Sequence, residues 1–117
     1  MATTYAVNDA GVSKARQMID SRQYDLETEW SDASPTTDES NAKIDRDGYD
    51  GYGEWHLALD TDASEGTKDR YGFPFGDFQR VNRAALIHAK QRAAQNDHSE
   101  VEEAADRLLA HLDEVAS

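Results

Sequence analysis

The clearest pattern of apolar and polar positions lies in the C-terminal third of the chain. Residues 77–95 repeat apolar side chains at the spacing of one helix face, and Asp77 is suited to be the N-cap. The predicted stripe consists of Phe78, Val81, Ala85, Ala89 and Ala93. A second helical pattern begins after only three to four residues, which predicts an antiparallel helical hairpin.

The second helix of this hairpin is predicted over 99–115. Ser99 and Glu102 have the spacing of a capping box, in which each side chain bonds the other residue's backbone. The apolar stripe that follows consists of Val101, Ala105, Leu108, Leu112 and Val115, with Leu109 beside it. Because alanines dominate the facing stripe, we expect the two helices to approach closely.

The N-terminal part of the chain predicts a further helix over 8–22. Asn8 or Asp9 is suited to be its N-cap. Apolar residues at 12, 15 and 19 share one helix face. Residues 3–7 favour a short strand before this helix.

The middle of the chain is polar and rich in turn-forming residues. Residues 31–40 predict a loop, within which Thr36 and Glu39 have the spacing of a capping box. We therefore expect a short helix that begins there and ends near Asp47. The glycines of 47–53 predict a loop or turn after it.

The following segment is harder to assign. Residues 55–59 fit one helical turn or a short strand, and 60–69 predict another loop. Tyr71, Phe73 and Phe75 alternate as in a strand, but Pro74 lies among them and argues against one. The whole pattern predicts a mainly α fold of three to four helices, with residues 1–117 as one small domain.

Seven of the ten aromatic residues fall within one window of the sequence. They are Tyr49, Tyr52, Trp55, Tyr71, Phe73, Phe75 and Phe78. Large aliphatic residues are few, so we expect these rings to form the core under the helices. The alternative is an aromatic pocket or a surface for a partner, since tyrosine and tryptophan are enriched at interfaces.

The charge of the chain is strongly negative. The formal net charge is −12, with 15 Asp against 9 Glu and 8 Arg against 4 Lys. Self-repulsion at this density destabilises a compact state, and concentrated salt screens it. The composition therefore favours adaptation to a salty cytoplasm. The alternatives are a nucleic-acid mimic, which presents carboxylates in place of phosphates, and an ordinary acidic surface.

One stretch breaks the acidic pattern. Residues 79–95 have a local charge of +4, and the outer side of the next helix is acidic. Arg80, Arg83 and Lys90 are expected opposite Phe78, around the apolar Ile87. This pattern predicts a face for self-association or for another protein. The alternative is that the two faces meet within one chain or face water.

Residue types for catalysis and metal binding are sparse. The chain has no cysteine, and His56, His88, His98 and His111 lack the spacing of a metal motif. We find no nucleophile elbow, phosphate-binding loop or dinucleotide fingerprint. The sequence therefore predicts neither metal nor cofactor. An enzyme that uses His88 and His111 with neighbouring carboxylates is the third hypothesis for function.

The beginning of the chain lacks the basic and apolar regions of a signal peptide, and no run approaches the roughly 20 apolar residues of a membrane span. We therefore expect a cytoplasmic protein without a membrane partner. The acidic charge also argues against direct binding of nucleic acid.

Residues 55–59 (Trp-His-Leu-Ala-Leu) and 76–83 (Gly-Asp-Phe-Gln-Arg-Val-Asn-Arg) resemble those of a group of small uncharacterised prokaryotic proteins. The resemblance extends from 8–12 to 104–109. It implies a single domain and no particular activity. Asn82 stands where the group is expected to have histidine, which argues against a catalytic histidine there.

The net charge generates a first prediction. The thermal midpoint of unfolding should rise between roughly 0.1 M and roughly 2 M KCl, because screening removes repulsion between carboxylates. Circular dichroism across a KCl series measures this midpoint. A flat or falling midpoint would contradict the salt-adaptation hypothesis.

Overall fold

The computed structural model describes residues 5–117, which form a mainly α fold with short strands. The helices are α1 (Asp9–Asp20), α2 (Trp30–Ala33), α3 (Thr37–Gly53), α4 (Arg83–Gln95) and α5 (Ser99–Ala116). The strands are β1 (Tyr5–Val7), β2 (Tyr24–Asp25), β3 (His56–Asp60), β4 (Tyr71–Pro74) and β5 (Val81–Asn82). The mainly α class is confirmed, but the described residues form five α-helices instead of three to four.

The strands form two small sheets. In the first, β3 lies between β1 and β4 and pairs antiparallel with both. In the second, β2 and β5 form a short parallel pair. The strand expected over 3–7 is present at 5–7, and residues 3 and 4 lie outside the described residues. Pro74 is accommodated because β4 is an edge strand, where a missing N–H breaks no ladder.

The first turn of α1 lies directly on the backbone of β3. Asn8 precedes the helix as predicted, but its side chain does not cap it. Instead Asn8 Nδ2 donates to the carbonyl oxygens of Gly53 (2.9 Å) and His56 (3.0 Å). Gly11 permits this approach, since a Cβ there would overlap the carbonyl oxygen of His56.

Helices α4 and α5 form the C-terminal hairpin. Arg83 contacts Asp113 and Lys90 contacts Asp106, an order that makes the helices antiparallel. The buried residues of the two helices are Ala85, Leu86, Ala89, Ala93, Val101, Ala105, Leu108 and Leu112. Leu86 is fully buried although it lies outside the predicted stripe.

The predicted start of the first hairpin helix was wrong. Asp77 does not cap a helix: its carboxylate accepts the N–H groups of Gln79 and Arg80, which makes a turn. Phe78 has a φ of 70°, outside the helical region. Helix α4 begins six residues later, where Asn82 Oδ1 accepts the N–H of Ala85.

Helix α5 begins at Ser99 as predicted, but its capping differs from the prediction. His98 is the N-cap residue and makes no side-chain capping bond. Ser99 already lies inside the helix, so the predicted capping box with Glu102 was wrong. By contrast, the capping box of Thr36 and Glu39 is confirmed, with both reciprocal hydrogen bonds present.

The middle of the chain contains more regular structure than predicted. The helical segment that begins after Thr36 ends near Asp47 as predicted, because Gly48, with a φ of 75°, is not helical. Residues 49–53 form a second helical segment of α3 beyond this kink, where a loop or turn was predicted. Residues 55–59 resolve largely into strand β3, and α2 occupies part of the predicted loop over 31–40. No helix among residues 5–117 has the length and apolar character to cross a membrane.

The hairpin generates a second prediction. Leu108 is 1% exposed within the core, so Leu108→Ala should lower the free energy of unfolding by about 2–5 kcal/mol. Leu26→Ala is the matched control, because Leu26 is 46% exposed and its loss should stay within about 0.5 kcal/mol. Urea unfolding in molar KCl measures both. Equal losses would contradict the packing described for α5.

Candidate functional site

The predicted basic face is partly occupied within the chain. Arg83 Nε and Nη2 donate to the two carboxylate oxygens of Asp113 at 2.8 and 3.1 Å. This bidentate bond lowers the pKa of Asp113. Lys90 Nζ lies 2.7 Å from Asp106 Oδ1. Arg83 and Lys90 thus pair with acidic residues of the same chain, which was the alternative to a face for a partner.

The remaining members of that face, Arg80 and Ile87, lie outside these two ion pairs. Arg80 precedes α4, on the turn that Asp77 organises, and its guanidinium lies 3.9 Å from the carboxylate of Asp77. Ile87 is half-buried on α4. The structure therefore places three of the four residues on α4 and Arg80 outside it.

The seven aromatic residues divide between the core and its border. Tyr52, Trp55 and Phe75 are buried, and the rings of Trp55 and Phe75 stack with centroids 5.5 Å apart. The half-buried members are Tyr49, Tyr71, Phe73 and Phe78. Phe73 packs against Tyr5 and His98 at a different place, where it borders a cleft.

This cleft, which we call the α4 cleft, has a volume of about 510 Å³. It lies among β1, α2, β4 and α4, and the turn between α4 and α5 closes one side. Its lining residues are Tyr5, Trp30, Phe73, Pro74, His88, Ala89, Arg92, Asn96 and His98. The volume is within the range of about 300–1,000 Å³ that is typical of small-molecule sites.

The lining of the α4 cleft differs in charge from the rest of the surface. It contains three basic side chains, those of His88, Arg92 and His98, and no carboxylate. Two other hollows in residues 5–117 are lined by acidic residues that outnumber the basic ones. In a chain with 24 acidic residues, this concave surface is distinguished by a lining that holds no carboxylate.

Helix α4 positions two of the basic side chains. His88 and Arg92 are four residues apart and share one face of α4. The ion pairs formed among residues 5–117 do not include Arg92. Asn96 Nδ2 donates to the carbonyl oxygen of Arg92 at 2.9 Å, which closes the end of α4. Arg92 thus presents a free guanidinium beside the cleft.

Aromatic rings from β1 and β4 also line the cleft. Tyr5 packs edge-to-face on Phe73 and on His98, with ring centroids 5.2 Å apart in both pairs. Burial raises the pKa of Tyr5, and the negative charge of Asp60 adds to this effect. The phenol therefore stays protonated at neutral pH and keeps its O–H as a donor.

The sequence does not predict this cleft. His88 is a candidate there for a metal or catalytic role, and the sequence pattern does not distinguish Arg92, Trp30 or Tyr5. A usable signal was the spacing of His88 and Arg92 within the +4 stretch, which places two basic groups on one helix face. The convergence of β1, α2 and β4 on that face depends on the tertiary fold.

The two histidines of the enzyme hypothesis, His88 and His111, lie in different parts of the molecule. His88 is exposed and lines the α4 cleft. His111 Nε2 lies 2.6 Å from Asp20 Oδ1 and links α5 to α1. Among residues 5–117, no three histidine or carboxylate side chains are grouped as a metal site requires.

His56 occupies a separate, buried environment. Its Nδ1 lies 3.1 Å from the carbonyl oxygen of Tyr52, and the rings of Tyr52 and Tyr71 pack on it. Burial lowers the pKa of His56 to about 4. The imidazole is therefore neutral at pH 7, and its Nδ1–H donates to Tyr52.

Comparison of the chain with family models, with curated proteins and with solved structures gives no match. The resemblance to small prokaryotic proteins therefore stays a prediction, and the function is argued from the site alone.

His56 generates a third prediction. Between pH 6.5 and about 4 the unfolded chain binds a proton at this residue that the folded chain does not. The free energy of unfolding therefore decreases as the pH is lowered through that window. His56→Gln removes this titration. The stability advantage of the wild type over the variant should therefore shrink by about 3 kcal/mol between pH 7 and pH 4.

Urea unfolding at a series of pH values measures the difference. The carboxylates titrate in both proteins, so subtracting one profile from the other isolates His56. A difference that does not change with pH would show that His56 is protonated equally well in the folded chain.

Proposed function

We propose that the protein is a non-enzymatic binding domain of a salt-adapted cytoplasm, and that the α4 cleft holds an anionic ligand. The observation that carries the proposal is the lining of this cleft: three basic side chains and no carboxylate in a chain of net charge −12. Unlike the two other hollows in residues 5–117, this cleft places no carboxylate in contact with a bound anion.

The cleft suits binding in concentrated salt. In molar salt the Debye length is about 3 Å, so only charges in contact attract each other effectively. The guanidinium of Arg92 can make such a contact, because no carboxylate of residues 5–117 pairs with it. A hydrogen bond between two charged groups is shorter and stronger than one between neutral groups.

The distribution of the acidic residues supports the salt-adapted part of the proposal. The buried polar residues of 5–117 are Asn8, His56 and Asn82, so every Asp and Glu lies outside the buried core. Carboxylates held at the surface keep the chain hydrated, while salt screens their mutual repulsion.

Self-association through Arg80, Arg83, Ile87 and Lys90 stays a prediction. It has weaker support than the cleft, because Arg83 and Lys90 already pair with α5 of the same chain. The nucleic-acid mimic and the enzyme likewise stay predictions, and no feature of residues 5–117 favours either over an anion-binding cleft.

A fluorescent probe tests the proposed function. 8-Anilinonaphthalene-1-sulfonate, a small organic anion, should bind the folded protein in molar KCl with saturable fluorescence. Arg92→Gln should weaken this binding about tenfold, since it removes a charged hydrogen-bond donor. Arg16→Gln is the matched control, because Arg16 is an exposed arginine on α1 outside the cleft.

Circular dichroism of both variants should match that of the wild type, since both arginines are exposed. The proposal would be contradicted if the two variants bound the dye with equal affinity.

A further inference from the structure

Resting on the proposed function, we infer that the ligand of the α4 cleft joins a flat aromatic ring to one anionic group. The inference comes from the two unlike walls of the cleft. On one side His88 and Arg92 line the cleft from α4, and on the other Tyr5, Phe73 and Trp30 line it from β1, β4 and α2. The His98 ring packs on Tyr5 and Phe73. A ligand that satisfies both walls has a charged end and an aromatic body.

The charged end is assigned to the α4 side. Arg92 supplies a planar guanidinium whose five N–H groups match carboxylate and phosphate oxygens. His88 lies one turn earlier on the same face of the helix, and His98 lies beyond its C-terminal end. These groups line one cleft, whereas acidic residues outnumber basic ones in the lining of the two other hollows in residues 5–117.

The aromatic body is assigned to the wall formed by Tyr5, Phe73 and Trp30. Tyr5 and Phe73 hold each other edge-to-face at an interplanar angle of 84°, so their positions are mutually fixed. Trp30, the first residue of α2, is half-buried and lines the cleft from another element. Rings that meet a ligand from two directions recognise a flat aromatic group by stacking and edge contacts.

The segment that carries Trp30 is attached to the rest of the fold. Asn82 Nδ2 donates to the carbonyl oxygen of Thr28 at 2.9 Å, two residues before Trp30. The carboxylate of Asp25 accepts the N–H groups of Glu27 and Thr28. Because these bonds hold the segment before α2, the tryptophan is positioned before any ligand binds, which lowers the entropic cost of binding.

The size of the cleft argues for a ligand larger than an inorganic ion. A volume of about 510 Å³ is far greater than the volume a phosphate or sulfate occupies, which is on the order of a few water molecules. A ring attached to the anion fills the remaining space and excludes water from the charged contact. Two sources share this chemistry: an aromatic carboxylic acid and a nucleoside monophosphate.

Competition against 8-anilinonaphthalene-1-sulfonate in molar KCl tests the inference. The competitors are 1-naphthoate, adenosine monophosphate, inorganic phosphate and uncharged naphthalene-1-methanol. At least one of the two ringed anions should displace the dye at a concentration about tenfold lower than either single-feature compound requires. The better ringed anion identifies the source of the ligand.

Two variants test which side of the cleft contacts the ring of the ligand and which side contacts its anionic group. Trp30→Ala should weaken the ringed anion about tenfold and leave inorganic phosphate unchanged, whereas Arg92→Gln should weaken both. Tyr49→Ala is the matched aromatic control, because Tyr49 is half-buried and lines a different hollow. Its affinities should equal those of the wild type.

The outcomes separate the inference from the proposed function. If inorganic phosphate competes as well as the ringed anions and depends on Arg92, the aromatic part is overturned and the anion-binding cleft stands. If the uncharged alcohol competes as well as the ringed anions, the anionic part is overturned. If no compound competes in a manner that depends on Arg92, the proposed function itself fails.

Discussion

The fold depends on the contact between the start of α1 and the backbone of β3. Asn8 bonds the carbonyl oxygens of Gly53 and His56, and Gly11 lets the helix approach without a side chain in between. This contact positions the central strand of the sheet, on which β1 and β4 pair. Helix α5 then packs on α1 and is tied to it by His111 and Asp20. The α4 cleft lies where β1, β4 and the hairpin meet, so its walls follow from this arrangement.

Charge is distributed in three distinct ways over this fold. Most carboxylates lie at the surface, where water and salt surround them. On the outer side of the hairpin, Arg83 and Lys90 each pair with an aspartate of α5, so the +4 stretch is partly neutralised within the chain. Along α4 and the turn after it, His88, Arg92 and His98 line a cleft without a carboxylate, beside aromatic rings. The proposed function rests on this third arrangement.

Much of the helical structure was predictable from local patterns. The apolar periodicities of α1 and α5, and the capping box at Thr36, depend on neighbouring residues, so local rules describe them. The segment 77–82 was mispredicted because Asp77 favours a turn as readily as a helix start. Its actual course depends on pairing with β2, which is distant in sequence. The cleft was unpredictable for the same reason: Tyr5, Trp30, Phe73 and Arg92 come together only through the tertiary fold.

The central claim is that an anion with an aromatic ring binds at the α4 cleft, and two-dimensional ¹H–¹⁵N NMR tests it most directly. Labelled protein in molar KCl is titrated with 1-naphthoate and, separately, with adenosine monophosphate. For at least one of them, the account predicts saturable shifts at the backbone amides of Tyr5, Phe73, His88, Arg92 and His98. Shifts that concentrate around Tyr49 and Glu65 in the other hollow, or no saturable shifts with either ligand, would contradict it.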